Sequence, residues 1–82
     1  MILVEVTVPT LNRKYDFELD ETVKIGLLTD EILEMLCRRE KREMPARTDA
    51  FCLSELSLGT ILDPEGTLQD YGVKDGGQLI LT

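Results

Sequence analysis

The stretch GTILDPEGTLQDYGVKDGGQLILT, residues 59–82, places two turns and a closing strand in a fixed order. Asp63-Pro64-Glu65-Gly66 has Asp, Pro and Gly where a type I turn prefers them. Thr67 and Asp70 resemble a capping box, which predicts one short helical turn. Lys74-Asp75-Gly76-Gly77 predicts a second tight turn, because glycine readily takes the positive φ that such turns need. Gln78-Leu79-Ile80-Leu81 then reads as the last strand. Thr60 to Leu62, ahead of the first turn, reads as a short one.

Upstream of this stretch, Phe51 to Leu58 is the next predicted strand, but its alternation is irregular. Phe51 and Leu53 share one parity, Leu56 and Leu58 the other. An extra residue near Ser54-Glu55, a bulge, reconciles the two and leaves the face of Leu56 open. Glu43 to Asp49 contains Pro45 and little apolar material, and reads as a loop. Before it the period is helical. Ile25, Leu28, Ile32 and Leu36 recur on one face, flanked by Val23, Leu27 and Met35. Thr22 is placed to cap the first turn. Acids (Asp30, Glu31, Glu34) precede bases (Arg38, Arg39, Lys41, Arg42), which matches the helix dipole, and Glu34 lies one turn from Arg38. This predicts a helix over about Val23–Lys41. Gly26 should loosen its first turn, at about 1 kcal/mol relative to alanine. At the N-terminus, Val4, Val6 and Val8 share one face of a strand over Met1–Pro9. Tyr15, Phe17 and Leu19 share one face of another over Arg13–Asp20. Pro9-Thr10-Leu11-Asn12 joins them as a hairpin.

The order strand, strand, helix, strand, strand, strand leaves the apolar stripe of the helix only a sheet to pack on. That is an α+β β-grasp arrangement, a mixed sheet of four to five strands packed on one helix. Eighty-two residues suit a single domain over 1–82, and 43% apolar residues are ample for a folded chain. No stretch approaches the roughly 20 apolar residues of a membrane helix. The first residues lack the basic and small-residue pattern of a signal peptide, so the expected location is cytoplasmic. A net charge of −7 disfavours nucleic acid and anionic lipid as partners. Cys37 and Cys52 form no C-x-x-C pair and are expected as reduced thiols rather than metal ligands.

Residues 59–81 resemble the closing half of ubiquitin, with Thr67-Leu68, Asp70-Tyr71 and the Leu79-x-Leu81 strand at the same spacing. The likeness implies that the Tyr71 hydroxyl bonds nearby backbone. The element order of the whole chain is similar to that of the ubiquitin-like superfamily. A narrower likeness is to the bacterial YukD/EsaB family. Val4-Glu5-Val6-Thr7-Val8, Tyr15-Asp16-Phe17 and Tyr71-Gly72-Val73-Lys74-Asp75-Gly76 carry it. Members are stand-alone ubiquitin-like proteins encoded with Gram-positive type VII secretion systems. Two features depart from the family pattern: Gly77 stands where an Asp is usual, and Phe51 where a third-strand tryptophan occurs.

The resemblance implies a non-conjugated, cytoplasmic accessory or regulatory component of such a secretion system. It would act by docking to a protein partner, either a secretion component or a second copy of the chain. The alternative is a generic ubiquitin-like adaptor unrelated to secretion. A modifier or sulfur carrier ranks lower. Both need a free terminal Gly-Gly, whereas Gly76-Gly77 precedes the last strand and the sequence stops at Thr82. An enzyme is not expected: there is no histidine, no hydroxyl with a base to activate it, and no glycine-rich loop opening a helix. No cofactor, metal, small-molecule substrate, nucleic acid or direct membrane insertion is expected. In ubiquitin-like domains the outer sheet face around the third and fifth strands commonly docks partners, which makes Leu56, Leu58 and Ile61 candidates. The basic run Arg38, Arg39 and Arg42, with Lys41, is the competing candidate for an acidic partner. Its plainer role is to offset the helix dipole.

Overall fold

The computed structural model describes residues 1–44 and 51–82; residues 45–49 of the expected loop lie outside them. Strand β1 (Ile2–Val8) is followed by a single 3-10 turn (Pro9–Leu11), β2 (Arg13–Leu19), helix α1 (Ile25–Arg39), β3 (Leu53–Glu55), β4 (Thr60–Ile61) and β5 (Gly77–Leu81). The five strands form one mixed sheet in the order β2-β1-β5-β3-β4. β1 runs antiparallel to β2 and parallel to β5; β3 runs antiparallel to both β5 and β4. This is the expected α+β ubiquitin-like β-grasp.

The hairpin forms where the alternation predicts it. Asn12 closes the connection in the left-handed region, φ 53°, which asparagine tolerates better than most residues. Its N–H donates to the Pro9 carbonyl at 3.0 Å. The register then sets Val4 opposite Phe17 and Val6 opposite Tyr15. All four are buried, as are Leu79 and Leu81 of β5. The helix lays Ile25, Leu28, Ile32 and Leu36 on this face. Leu33 and Thr29 are buried beside them, the Thr29 hydroxyl donating to the Ile25 carbonyl at 2.9 Å. Leu27 and Met35, expected to flank the stripe, are exposed instead, on the side of the helix turned from the sheet.

The helix start differs from expectation. Thr22 does not cap it: its N–H and hydroxyl both donate to the Asp20 carboxylate, at 2.9 and 2.6 Å. The N-cap position is Lys24, without a side-chain cap. The first free amides are satisfied from a distant segment, Ile25 N–H by the Gly66 carbonyl at 2.8 Å and Gly26 N–H by the Pro64 carbonyl at 2.9 Å. Gly26 is where this turn docks. A Cβ there would sit 3.3 Å from Pro64 Cβ and 3.4 Å from its carbonyl oxygen.

Residues 59–82 form the two turns and the closing strand that their sequence predicts. Gly66 N–H closes the Asp63 turn at 3.0 Å. Thr67 and Asp70 exchange reciprocal side-chain to backbone bonds, both 3.1 Å. The Tyr71 hydroxyl accepts the Asp63 N–H at 2.9 Å. Gly76 takes φ +85° in the second turn. Gly77 is required for a different reason: a Cβ there would lie 2.8 Å from Val73 Cγ1.

Candidate functional site

β3 decides where the apolar candidates sit. It is shorter than expected and carries no bulge: Leu53, Ser54 and Glu55 face Leu81, Ile80 and Leu79 in unbroken register. The strand stops because Glu55 caps the next turn. Its buried carboxylate accepts the Ser57 hydroxyl at 2.5 Å and the Leu58 N–H at 2.8 Å. Gly59 N–H returns to the Glu55 carbonyl at 3.0 Å, with Gly59 at φ +64°. The irregular alternation of Phe51–Leu58 is therefore a strand followed by a turn.

Leu56 donates its N–H to the Gln78 carbonyl at 2.9 Å, extending the β3–β5 ladder by one residue. It shares parity with Ser54 and points away from the helix, because side chains alternate along a strand. Ser54 pairs with Ile61 on one side and Ile80 on the other. Leu56, Ile61 and Ile80 thus form an apolar group on the helix-free face. They line a shallow depression of about 230 Å³ with Ser54 and Thr60. Leu56 is 55% exposed and Ile61 63%, large values for aliphatic side chains. Leu58, 50% exposed, is not part of this group. It lies past the turn and borders a separate depression with Tyr71 and Lys74. Ile80, half-buried, is the member that the sequence reading missed. The signal was available: with Leu79 and Leu81 inward, Ile80 must point outward.

The basic run lies toward the opposite edge of the sheet, and two of its side chains, Arg38 and Arg39, are engaged within the chain. Arg38 bonds Glu34 at 2.6 Å, the predicted pair. The Arg39 guanidinium lies 5.4 Å from the centre of the Tyr15 ring on β2. The Tyr15 hydroxyl donates to Glu40, which also attracts Arg13 at 3.5 Å. The Glu40 bond, and then burial, raise the tyrosine pKa above its ordinary value. Lys41 takes φ 55°, and Arg42 N–H returns to the Cys37 carbonyl at 2.8 Å. The helix end is thereby folded back, and Arg42 borders a groove of about 220 Å³ with Leu33, Leu36 and Phe51. Arg38 and Arg39 remain exposed, but each has a partner in the chain.

Cys37 and Cys52 are free thiols, both half-buried. Among the described residues no three His, Cys, Asp or Glu side chains group as a metal site requires. No helix among them is long and apolar enough to cross a membrane. Gly76 and Gly77 lie at the join of turn and sheet. Gly76 N–H bonds the Leu3 carbonyl, and the Leu3 N–H bonds the Asp75 carboxylate, both at 2.8 Å.

Residues 3–81 match the family described as the WXG100 protein secretion system (Wss) protein YukD. No curated protein matches the chain. Among solved structures, the chain is similar to a ubiquitin-like domain of an Arabidopsis thaliana protein, with TM-score 0.73 and 21% identity over 99% of this chain and 74% of that one. It is also similar to Caldiarchaeum subterraneum ubiquitin, with TM-score 0.70 and 18% identity over 98% of this chain and 89% of that one. At such identities the likeness carries the fold alone.

Proposed function

Because the chain belongs to the YukD family of ubiquitin-like proteins linked to the WXG100 secretion system, we propose that it acts there by reversible docking to a protein component. In this reading it is a single-domain, cytoplasmic accessory of a Gram-positive type VII system, neither an enzyme nor a conjugated modifier. The observation that carries the docking role is the apolar group of Leu56, Ile61 and Ile80 on the helix-free face. Burying the exposed halves of Leu56 and Ile61 is worth about 0.75–1.5 kcal/mol each, half of what full burial of such side chains supplies. A group this small supports a transient contact better than a permanent one, since obligate interfaces are far larger and more apolar. The basic run is the weaker candidate, because Arg38 and Arg39 already have partners.

A pull-down from native-host lysate at low and high salt separates the two surfaces. Apolar docking should persist or strengthen at high salt. Docking through exposed arginines should fade as the screening length falls from about 10 Å at 0.1 M to about 3 Å at 1 M. Leu56→Asp should release the secretion component, and Arg38→Glu with Arg42→Glu should keep it. The reverse outcome, with both variants folded, moves the working surface to the helix end. Capture of partners unrelated to secretion would instead support the generic adaptor reading.

A further inference from the structure

We propose that β2, at the free edge of the sheet, pairs antiparallel with β2 of a second copy of this chain. β2 stands first in the sheet order and, among the described residues, pairs with β1 alone. An edge strand presents unpaired N–H and C=O groups. Proteins usually blunt such an edge with proline, a bulge, a short strand or charged side chains, inward-pointing ones above all. β2 has no bulge; of its charges Arg13, Lys14, Asp16 and Glu18 only Arg13, at its first residue, shares the inward parity, and Glu40 meets it at 3.5 Å. The strand is seven residues long and free of proline and glycine. Its register with β1 is unbroken from Ile2–Leu19 to Val8–Arg13. Its other inward side chains, Tyr15, Phe17 and Leu19, are buried.

The charges on the outer face of β2 are unbalanced within one copy. Glu5 and Asp16 lie directly opposite each other, a placement that destabilises a strand pair. Lys14 reaches Glu5 at 3.8 Å. Among the described residues neither Asp16 nor Glu18 has an ion-pair partner. A cation arriving at the open edge would relieve the opposed acids.

A second copy supplies that cation. A two-fold axis normal to the sheet keeps both helices on one face and admits only registers in which outward residues oppose outward residues. Centred on Tyr15, the pairing sets Lys14 of each copy against Asp16 of the other, and Glu18 against Asn12. Centred on Asp16, it would oppose Asp16 to itself. Centred on Phe17, it would oppose Asp16 to Glu18. The Tyr15-centred register alone pairs unlike charges without opposing like ones. The net charge of −7 per copy opposes association at long range. At about 0.15 M salt the screening length is about 8 Å, which weakens that repulsion more than the contacts at the edge. The closed, isologous pair leaves Leu56, Ile61 and Ile80 uncovered at the far side of the sheet. The inference therefore stands apart from the docking reading.

Sedimentation equilibrium of the full chain at about 0.15 M salt, up to about 1 mM protein, should show a reversible dimer. Lys14→Glu and Asp16→Lys should each weaken self-association about tenfold or more. An equimolar mixture of the two variants should recover a heterodimer, because each position then meets the opposite charge. Recovery also proves that both variants fold. Leu56→Asp should leave the dimer unchanged. A wild type that stays monomeric to about 1 mM, a mixture no stronger than either variant alone, or a dimer abolished by Leu56→Asp would overturn the proposal.

Discussion

Truncating Leu28 to alanine should cost more than truncating Leu36, although both belong to one helical stripe. Leu28 is fully enclosed at 0% exposure, whereas Leu36 is 5% exposed and borders the open groove beside Phe51. Either change removes three carbons from the core, a transfer loss of roughly 2.4 kcal/mol at about 0.8 kcal/mol per carbon. At Leu28 the vacated space is sealed. If about 40–80 Å³ fails to collapse, at about 24 cal/mol per Å³ it adds a further 1–2 kcal/mol. The expected loss is then about 3–4.5 kcal/mol for Leu28→Ala. At Leu36 the space merges with the groove, the cavity contribution largely disappears, and the expected loss is about 2–2.5 kcal/mol. Against a total of roughly 4–12 kcal/mol for a chain of this length, Leu28→Ala should leave many preparations close to unfolding. Urea titration followed by far-ultraviolet circular dichroism reads both losses from the shift in midpoint at constant slope. Equal losses, a larger loss at Leu36, or a loss below about 1 kcal/mol at Leu28 would show that the enclosure of the stripe is misjudged.

Other consequences are as direct. Gly26→Ala should fail to deliver the roughly 1 kcal/mol that alanine ordinarily adds to a helix, because its Cβ meets Pro64; a thermal midpoint several degrees above wild type would contradict the close approach. Tyr71→Phe should lose about 0.5–1.5 kcal/mol in urea titration, since Asp63 N–H loses its acceptor. Asp20 should titrate below the ordinary aspartate range, held there first by the Thr22 hydroxyl and then by the Thr22 N–H. Its lowered folded pKa means that its stabilisation is present above the unfolded pKa and lost as pH falls through the folded one. Thr22→Val should move the Asp20 midpoint upward in an NMR titration, and an unchanged midpoint would remove the hydroxyl as the cause. Replacing Cys37 and Cys52 together with serine should leave the circular dichroism spectrum of the native protein intact.

The local periods of the sequence determined the element order, the faces of β1, β2 and α1, and both turns of residues 59–82. Each follows from contacts between near neighbours. Val4, Val6 and Val8 share a face because a strand repeats every two residues. Thr67 and Asp70 cap each other because they are three residues apart. Tertiary structure decided what depends on partners distant in the chain. The helix start is satisfied by carbonyls of Pro64 and Gly66, which no window around Thr22 contains, and the same docking gives Gly26 its reason. Leu56, Leu58 and Ile61 looked like one set in the sequence. Glu55, by capping its own turn, sent Leu58 elsewhere, while the β4-β3-β5 register brought in Ile80. Periodicity assigns a side chain to a face. Which side chains adjoin on that face is set by strand order and register, and those close only when residues far apart in sequence meet.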